Sequence, residues 1–370
     1  MIPVRRQFLK NSASLAIAAA LPTLGNAQPA SAPRQFNPQP GNWRTFEVTT
    51  RVDIQQPDGM TRVWLPIPSI NNAWQQSLDN AYSSNGQAQI SSDTHYGAKL
   101  LAIEFDAAQK TPFVELTSRV RTQNRAVNWT EKRAVHEDAA SLQAWTKPTA
   151  LIPTDGIVRA TALKATAGAR TDADKVRAIY DWVVANTYRE PKVRGCGEGD
   201  IKTMLETGNL GGKCADLNAV FVGLCRSVGV PARDLYGLRL VPSAFGYKEL
   251  SGNPSGLKGA QHCRAEVFLK DHGWVAMDPA DVAKVMRQET ADWIKTTDNP
   301  VVAPVSKALF GGWEGNWLAW NMAHDVVLPK AHGPRLGFLM YPVAETAMER
   351  LDSYSPDAFK YQITAREIKA

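Results

Sequence analysis
Short runs of alternating apolar and polar residues fill residues 42–128. Among them are FEVTTRVDI, TRVWLPIP, KLLAIEF and FVELTSRVR, separated by turn formers such as Pro57-Asp58-Gly59. A period of two with regular turns predicts short antiparallel strands, and the expected unit is a β-sandwich over 42–135. No catalytic constellation lies in it. From about residue 150 the period lengthens. Helices are predicted over 157–168 and 171–187, the second opening on Thr171-Asp172-Ala173-Asp174 in the manner of a capping box, with Ile179, Trp182 and Val183 on its apolar stripe. A glycine-rich loop, RGCGEGD (194–200), follows. Strands are then predicted at 234–241, 264–269 and 274–277. Helices before strands indicate an α+β domain over 150–290, with helices packed on an antiparallel sheet. After about 300 come GGWEGNWLAWN and the strand-like RLGFLMYPV and FKYQITAREI, read as a C-terminal β extension over 291–370. Trp313, Trp317 and Trp320 either wall a groove or fill a core. No internal repeat is visible.

The first residues change the picture of where the chain works. Arg5 to Lys10 read RRQFLK, followed by the apolar SASLAIAAALPTLG and then GNAQ. A positive start, a short apolar stretch and a small-residue site form a secretory signal, expected to end at Ala27. The paired arginines resemble a twin-arginine export signal, with Val4 as a departure. Residues 28–41, with four prolines, read as a linker. The expected location is the periplasm, with no membrane attachment after cleavage. The formal charge is +6, but Arg5, Arg6 and Lys10 leave with residues 1–27, and no acid leaves with them. The remaining excess is too small, and too scattered, to indicate a nucleic-acid partner.

Candidate chemistry concentrates in GGKCADLNAVFVGLCRSVGVPAR, residues 211–233. Leu217, Val220, Phe221, Leu224, Cys225 and Val228 recur at helical spacing. Gly229 suits a C′ position and Pro231 forbids continuation, so a helix is predicted over 213–228. Cys214 stands in its first turn. Unpaired amides and the helix dipole favour a thiolate there, and the same amides can hold an oxyanion. Gly211 and Gly212 would let a substrate backbone approach closely. Cys214 and Cys225 are too far apart along one helix, roughly 16 Å, for a disulfide. Pairing of Cys214 with Cys196 or Cys263 stays open. The four cysteines contain no C-x-x-C pair, which argues against zinc. GGK is not a phosphate loop either: that motif needs a glycine where Thr207 stands and a hydroxyl residue where Cys214 stands.

A thiol nucleophile needs a base and an orienting group. In QHCRAEVFLKDHGWVAMDP (261–279), His262 opens one predicted strand and Asp278 closes the next, at the same end of a hairpin. His272 falls at the opposite tip and is expected to be solvated. A tight two-residue turn would leave His262 and Asp278 several residues out of register. Asp281 is an alternative acid, though it better suits the cap of a helix over 282–288.

These blocks resemble the transglutaminase-like superfamily: GKCADLNAVFVGLCRSVGVPAR its nucleophile segment, HCRAEVFLKDHGWVAMDPADV its His and Asp segments, over roughly 155–290. The resemblance implies a papain-like core, with Cys214 as nucleophile, His262 as general base and acid, and Asp278 as orienter. It implies an oxyanion site at the Cys214 N–H, with Asn209 a candidate second donor. Arg264, where many members carry an aromatic residue, and Cys263 beside the histidine depart from the pattern. The function expected is an exported thiol enzyme acting on amide or peptide bonds, a peptidase or amidase by preference. A protein-glutamine transglutaminase and a non-catalytic module of the same fold are the alternatives. The expected substrate is a peptide or protein, peptidoglycan peptides included, and no metal or organic cofactor is called for.

Overall fold
The computed structural model describes residues 34–355 and 359–368; the expected signal segment and residues 28–33 lie outside them. The alternating runs become two four-stranded antiparallel sheets. In Arg44–Asp53, Phe46, Val48, Thr50 and Val52 point inward, and in Phe113–Thr122 so do Val114, Leu116, Ser118 and Val120. One sheet has the order Lys360–Ile368, Arg44–Asp53, Phe113–Thr122, Gln75–Ser84. The other has the order Val343–Glu345, Thr61–Ile67, Lys99–Phe105, Gln87–Ser92. Apolar residues of both sheets share one core, as sandwich packing requires.

The C-terminal β extension pairs with strands of both earlier units. Lys360–Ile368 pairs with Arg44–Asp53 from Thr45 to Asp53, and Val343–Glu345 pairs with Thr61–Ile67, so the C-terminal strands complete the sandwich. Trp317–Asn321 instead joins the second domain's sheet beside Ala232–Arg239. Across the expected boundary at 291, strand pairing therefore joins the C-terminal segment to both earlier units. Residues 34–41 of the expected linker also dock: Phe36 is buried against Phe245 and Tyr247, and Arg34 pairs with Glu289.

The second domain is built around the helix Cys214–Ser227, within one residue of the expected bounds, with Gly229 beyond it at φ +83°. Every residue of this helix is buried, because helices Gly156–Ala165 and Asp172–Asn186 cover what the sheet leaves open. The capping box at Thr171 and Asp174 is present. The sheet has the order Gly273–Met277, Gln261–Leu269, Ala232–Arg239, Trp317–Asn321, all antiparallel. Trp313, Trp317 and Trp320 are all buried, which gives them the core role.

One buried ion cluster ties the segment leaving the sandwich to this sheet. Glu266 pairs with Arg125 on one side and with Arg233 at 2.6 Å on the other, and Arg233 lies over the Trp274 ring. Glu266→Ala would leave two guanidiniums without their shared anion. It is expected to cost about 3–5 kcal/mol, read as a lowered guanidinium-chloride midpoint with an unchanged slope. A midpoint within experimental error of wild type would remove this role.

Candidate active site
Cys214 is the first residue of its helix, where the N–H has no intrahelical acceptor. Asp216 fixes this turn. One of its oxygens accepts from the Lys213 N–H at 2.8 Å, and the other from the Glu198 and Gly199 amides at 2.9 Å each. The Ala215 N–H bonds to the Cys196 carbonyl at 3.0 Å, so the glycine-rich loop 194–200 is stitched to the helix start. Gly211 and Gly212 serve this packing rather than a substrate. A Cβ at 211 would fall 2.5 Å from the Tyr188 ring, and one at 212 would fall 2.5 Å from the Asp216 Cβ.

His262 stands in the strand Gln261–Leu269, and Asp278 immediately follows Gly273–Met277. The hairpin turns through Lys270, Asp271 and His272, and the last pair of the register is Ala265 with Met277. One step further puts Asp278 opposite Arg264, diagonal to His262 on the same face. A diagonal neighbour is within reach of an imidazole, so no bulge is needed. His262 Nε2 donates to Asp278 Oδ2 at 2.7 Å, and its backbone carbonyl accepts from Trp317 Nε1 at 3.0 Å. His272 is at the far tip, half-buried against Trp129 rather than solvated.

Asp278 carries two jobs. Its Oδ1 accepts from the Asp281 N–H at 3.1 Å, capping the helix Pro279–Gln288, while its Oδ2 holds the histidine. The helix thus begins three residues earlier than expected, with Pro279 in its first turn and Asp278, not Asp281, as cap. Asp281 lies inside that turn, its Oδ2 3.2 Å from His262 Nε2 and its Oδ1 2.5 Å from Arg239. Arg264 approaches Asp278 Oδ2 at 3.4 Å and lies over the Trp313 and Trp317 rings. Two carboxylates therefore face one imidazole nitrogen, and two buried guanidiniums balance them. His262, Asp278 and Asp281 offer ligand atoms within 4.8 Å of one another. The two arginines already supply the positive charge that a cation would bring. Asn218, one turn after Cys214, braces the assembly by donating to the Cys263 carbonyl at 2.9 Å and approaching Asp278 Oδ1 at 3.4 Å.

Asn218 and Arg239 escape a reading of motifs. The only cue to Asn218 is a polar residue at a packed position of an apolar helix. Asn209 is exposed and accepts from the Gly211 N–H through its side-chain oxygen. No hydrogen bond between Asn209 and Cys214 occurs among the described residues, so its expected role as second oxyanion donor gains no support.

Burial opposes charge at every one of these groups, and neighbours decide the outcome. For Cys214, burial works against the thiolate. The neighbouring Cys196, Cys263 and His262 side chains, together with the imidazole's charge, outweigh it and hold the thiol well below its ordinary range. For His262, burial and Arg239 favour the neutral ring, but Asp281 and Asp278 raise it to about 9. Asp281 is held low despite burial, chiefly by Arg239. Cys225, at the helix's other end, is pushed up by burial. Because Nε2 is committed to the carboxylates, Nδ1 is the nitrogen left for Cys214. All four cysteines are free thiols, and Cys214 is only 3% exposed.

A buried cysteine at a helix start, with a histidine–carboxylate pair on the adjoining sheet, fits a papain-like fold. The profile of the transglutaminase-like superfamily matches residues 159–279. An uncharacterized protein of Haemophilus influenzae is 33% identical over 347 residues, covering 87% of this chain and 91% of the relative. A crystal structure from Cytophaga hutchinsonii, described as that of a candidate cysteine protease, superposes with a TM-score of 0.50 at 16% identity. It covers 89% of this chain and 99% of that one, a likeness of fold. The chain belongs to the transglutaminase-like superfamily.

Proposed function
We propose that the protein is an exported thiol hydrolase that cleaves amide or peptide bonds through Cys214, His262 and Asp278. The observation that carries this reading is the 2.7 Å bond from His262 Nε2 to Asp278, which commits one ring nitrogen and turns the other to a thiol at a helix N-terminus. The resting pair is a Cys214 thiolate and a His262 imidazolium. The thiolate attacks the carbonyl carbon, and the Cys214 N–H meets the oxygen as it gains charge. His262 gives its proton to the leaving amine, and a thioester remains. Water, deprotonated by His262, then releases the acid. Asp278 and Asp281 hold the ring and favour its charged form. The expected export signal supports a periplasmic setting, where peptides, exported proteins and peptidoglycan peptides are available.

The test is a glutamine-containing peptide pool incubated with reduced protein and a dansylated primary amine. Free acid as the main product supports hydrolysis. Amide product with little free acid makes the protein a transglutaminase, and neither product with either acceptor removes the enzymatic reading.

The pH profile follows from the same groups. His262 must be protonated to release the amine, so turnover falls as pH rises through about 9. Asp281's negative charge favours the imidazolium; removing it lowers the histidine's pKa. Asp281→Asn is therefore expected to move the alkaline limb to lower pH and narrow the bell. An unmoved alkaline limb would show that Asp281 does not act on His262.

A further inference from the structure
Three of the four cysteines converge. Cys196, Cys214 and Cys263 lie in one buried cluster, and the Cys196 carbonyl accepts at 3.0 Å from the N–H of Ala215, the residue after Cys214, while Cys225 sits at the far end of the same helix and in another cluster. Structural burial explains Cys225. It does not explain why two further thiols meet the one with nucleophilic character.

The two neighbours differ in freedom. Cys263 lies within the strand Gln261–Leu269, paired with Tyr236. Its carbonyl accepts from Asn218 and its thiol rests on the Met340 sulfur at 3.9 Å. Cys196 belongs to a loop without regular structure, between Gly195 at φ +56° and Gly197 at φ +86°. Those glycines let the backbone turn in ways other residues resist. Yet its carbonyl is bonded to the Ala215 N–H, so it stays beside the helix start however the side chain moves. The Cys196 thiol donates to the Gln261 carbonyl at 3.3 Å and accepts from the Tyr341 hydroxyl at 3.0 Å.

We propose that Cys196 is the resolving thiol of a reversible oxidation site, closing a Cys196–Cys214 disulfide that blocks the nucleophile. This rests on the reading of Cys214 as an activated thiol. The oxidant is hydrogen peroxide. The Cys214 thiolate attacks one peroxide oxygen, the O–O bond breaks, and Cys214 becomes a sulfenic acid as hydroxide leaves. The hydroxide takes the Cys196 proton and becomes water. The Cys196 sulfur then attacks the Cys214 sulfur, the S–O bond breaks, and the departing hydroxide takes the proton held by the His262 imidazolium to become a second water. Two thiols and one peroxide thus give one disulfide and two waters. A dithiol reverses the closure by exchange. An exported enzyme meets oxidants without the cytosolic thiol buffer, and the disulfide would spare Cys214 from irreversible over-oxidation.

The test uses the full chain, reduced, then treated with hydrogen peroxide and mapped without reduction. Trypsin separates the three thiols into peptides 195–202, 214–226 and 259–264, and chymotryptic cleavage at Phe221 parts Cys214 from Cys225. The expected product links 195–202 to the Cys214 half. Iodoacetamide labelling of Cys214 should vanish with peroxide and return with dithiothreitol. In Cys196→Ser, recovery should be at least about ten-fold lower, with sulfinic acid at Cys214. A link to Cys263, no link at all, or full recovery in Cys196→Ser would overturn the proposal. The wild-type map decides even if the variant folds poorly. If the link forms but the reduced protein processes no peptide with water or amine, the proposed function falls and the oxidation site stands. If the reduced protein turns over but no link forms, the reverse holds.

Discussion

Cys214→Ala is expected to lower peptide turnover by about 10³- to 10⁶-fold while leaving the fold intact. The loss follows from chemistry that no neighbour can replace. His262 can move protons, and the helix amide can meet an oxyanion, but neither forms the thioester. The stability effect should be small, since the deletion removes one sulfur from a position tied mainly through its backbone. Cys225→Ala gives the contrast. That thiol is equally buried, at the other end of the same helix, among Ile, Val and Leu side chains. The same substitution there should cost about 1 kcal/mol of stability and leave turnover within about two-fold of wild type. Measuring kcat/KM and the denaturation midpoint for both variants separates a reactive thiol from a packing one. Equal activity losses in the two would refute the assignment.

Asp278→Asn is expected to reduce kcat by about 10⁴-fold with a smaller change in KM. Asparagine still offers an oxygen to the Asp281 N–H, so the helix cap survives. It loses the charge that favours the imidazolium, and its amide group can present a donor where His262 Nε2 also donates. The ring must then take the other tautomer, which puts a proton where Cys214 needs an acceptor. Asp278→Ala should add a stability cost of about 1 kcal/mol through loss of the cap. A near-wild-type kcat in Asp278→Asn would mean that Asp281, held by Arg239 and 3.2 Å from the same nitrogen, carries the orienting role alone.

The three residues of the proposed triad were legible because each sits at a local signal. Cys214 opens a helix whose period is plain, and His262 and Asp278 bound two strands whose alternation ends on them. What locks them together was not legible. Arg239 reaches Asp281 from another strand, and Asn218 reaches the Cys263 carbonyl and the Asp278 carboxylate from inside an apolar helix. Such contacts depend on which elements pack together, and no local pattern records that. The sandwich shows the same limit. Its strands were readable one by one, but the last partner of Arg44–Asp53 lies more than three hundred residues away, and such a pairing leaves no mark near either strand. The helix after Asp278 begins three residues before its expected start for a different reason. Pro279 suits both a turn and a helix's first position, and the capping reading is correct here. Gly211 and Gly212 did signal close approach, but by Tyr188 and Asp216 rather than by a substrate.

The most direct measurement is the mass of the protein caught during turnover. Reduced wild-type protein is mixed with a peptide that it cleaves, quenched in acid, digested and mapped. The proposed chemistry requires an acyl adduct on Cys214 within peptide 214–226, labile to hydroxylamine and missing from Cys214→Ala, which should also be inactive. Turnover that persists in Cys214→Ala, with no adduct on Cys214 in wild type, would contradict it.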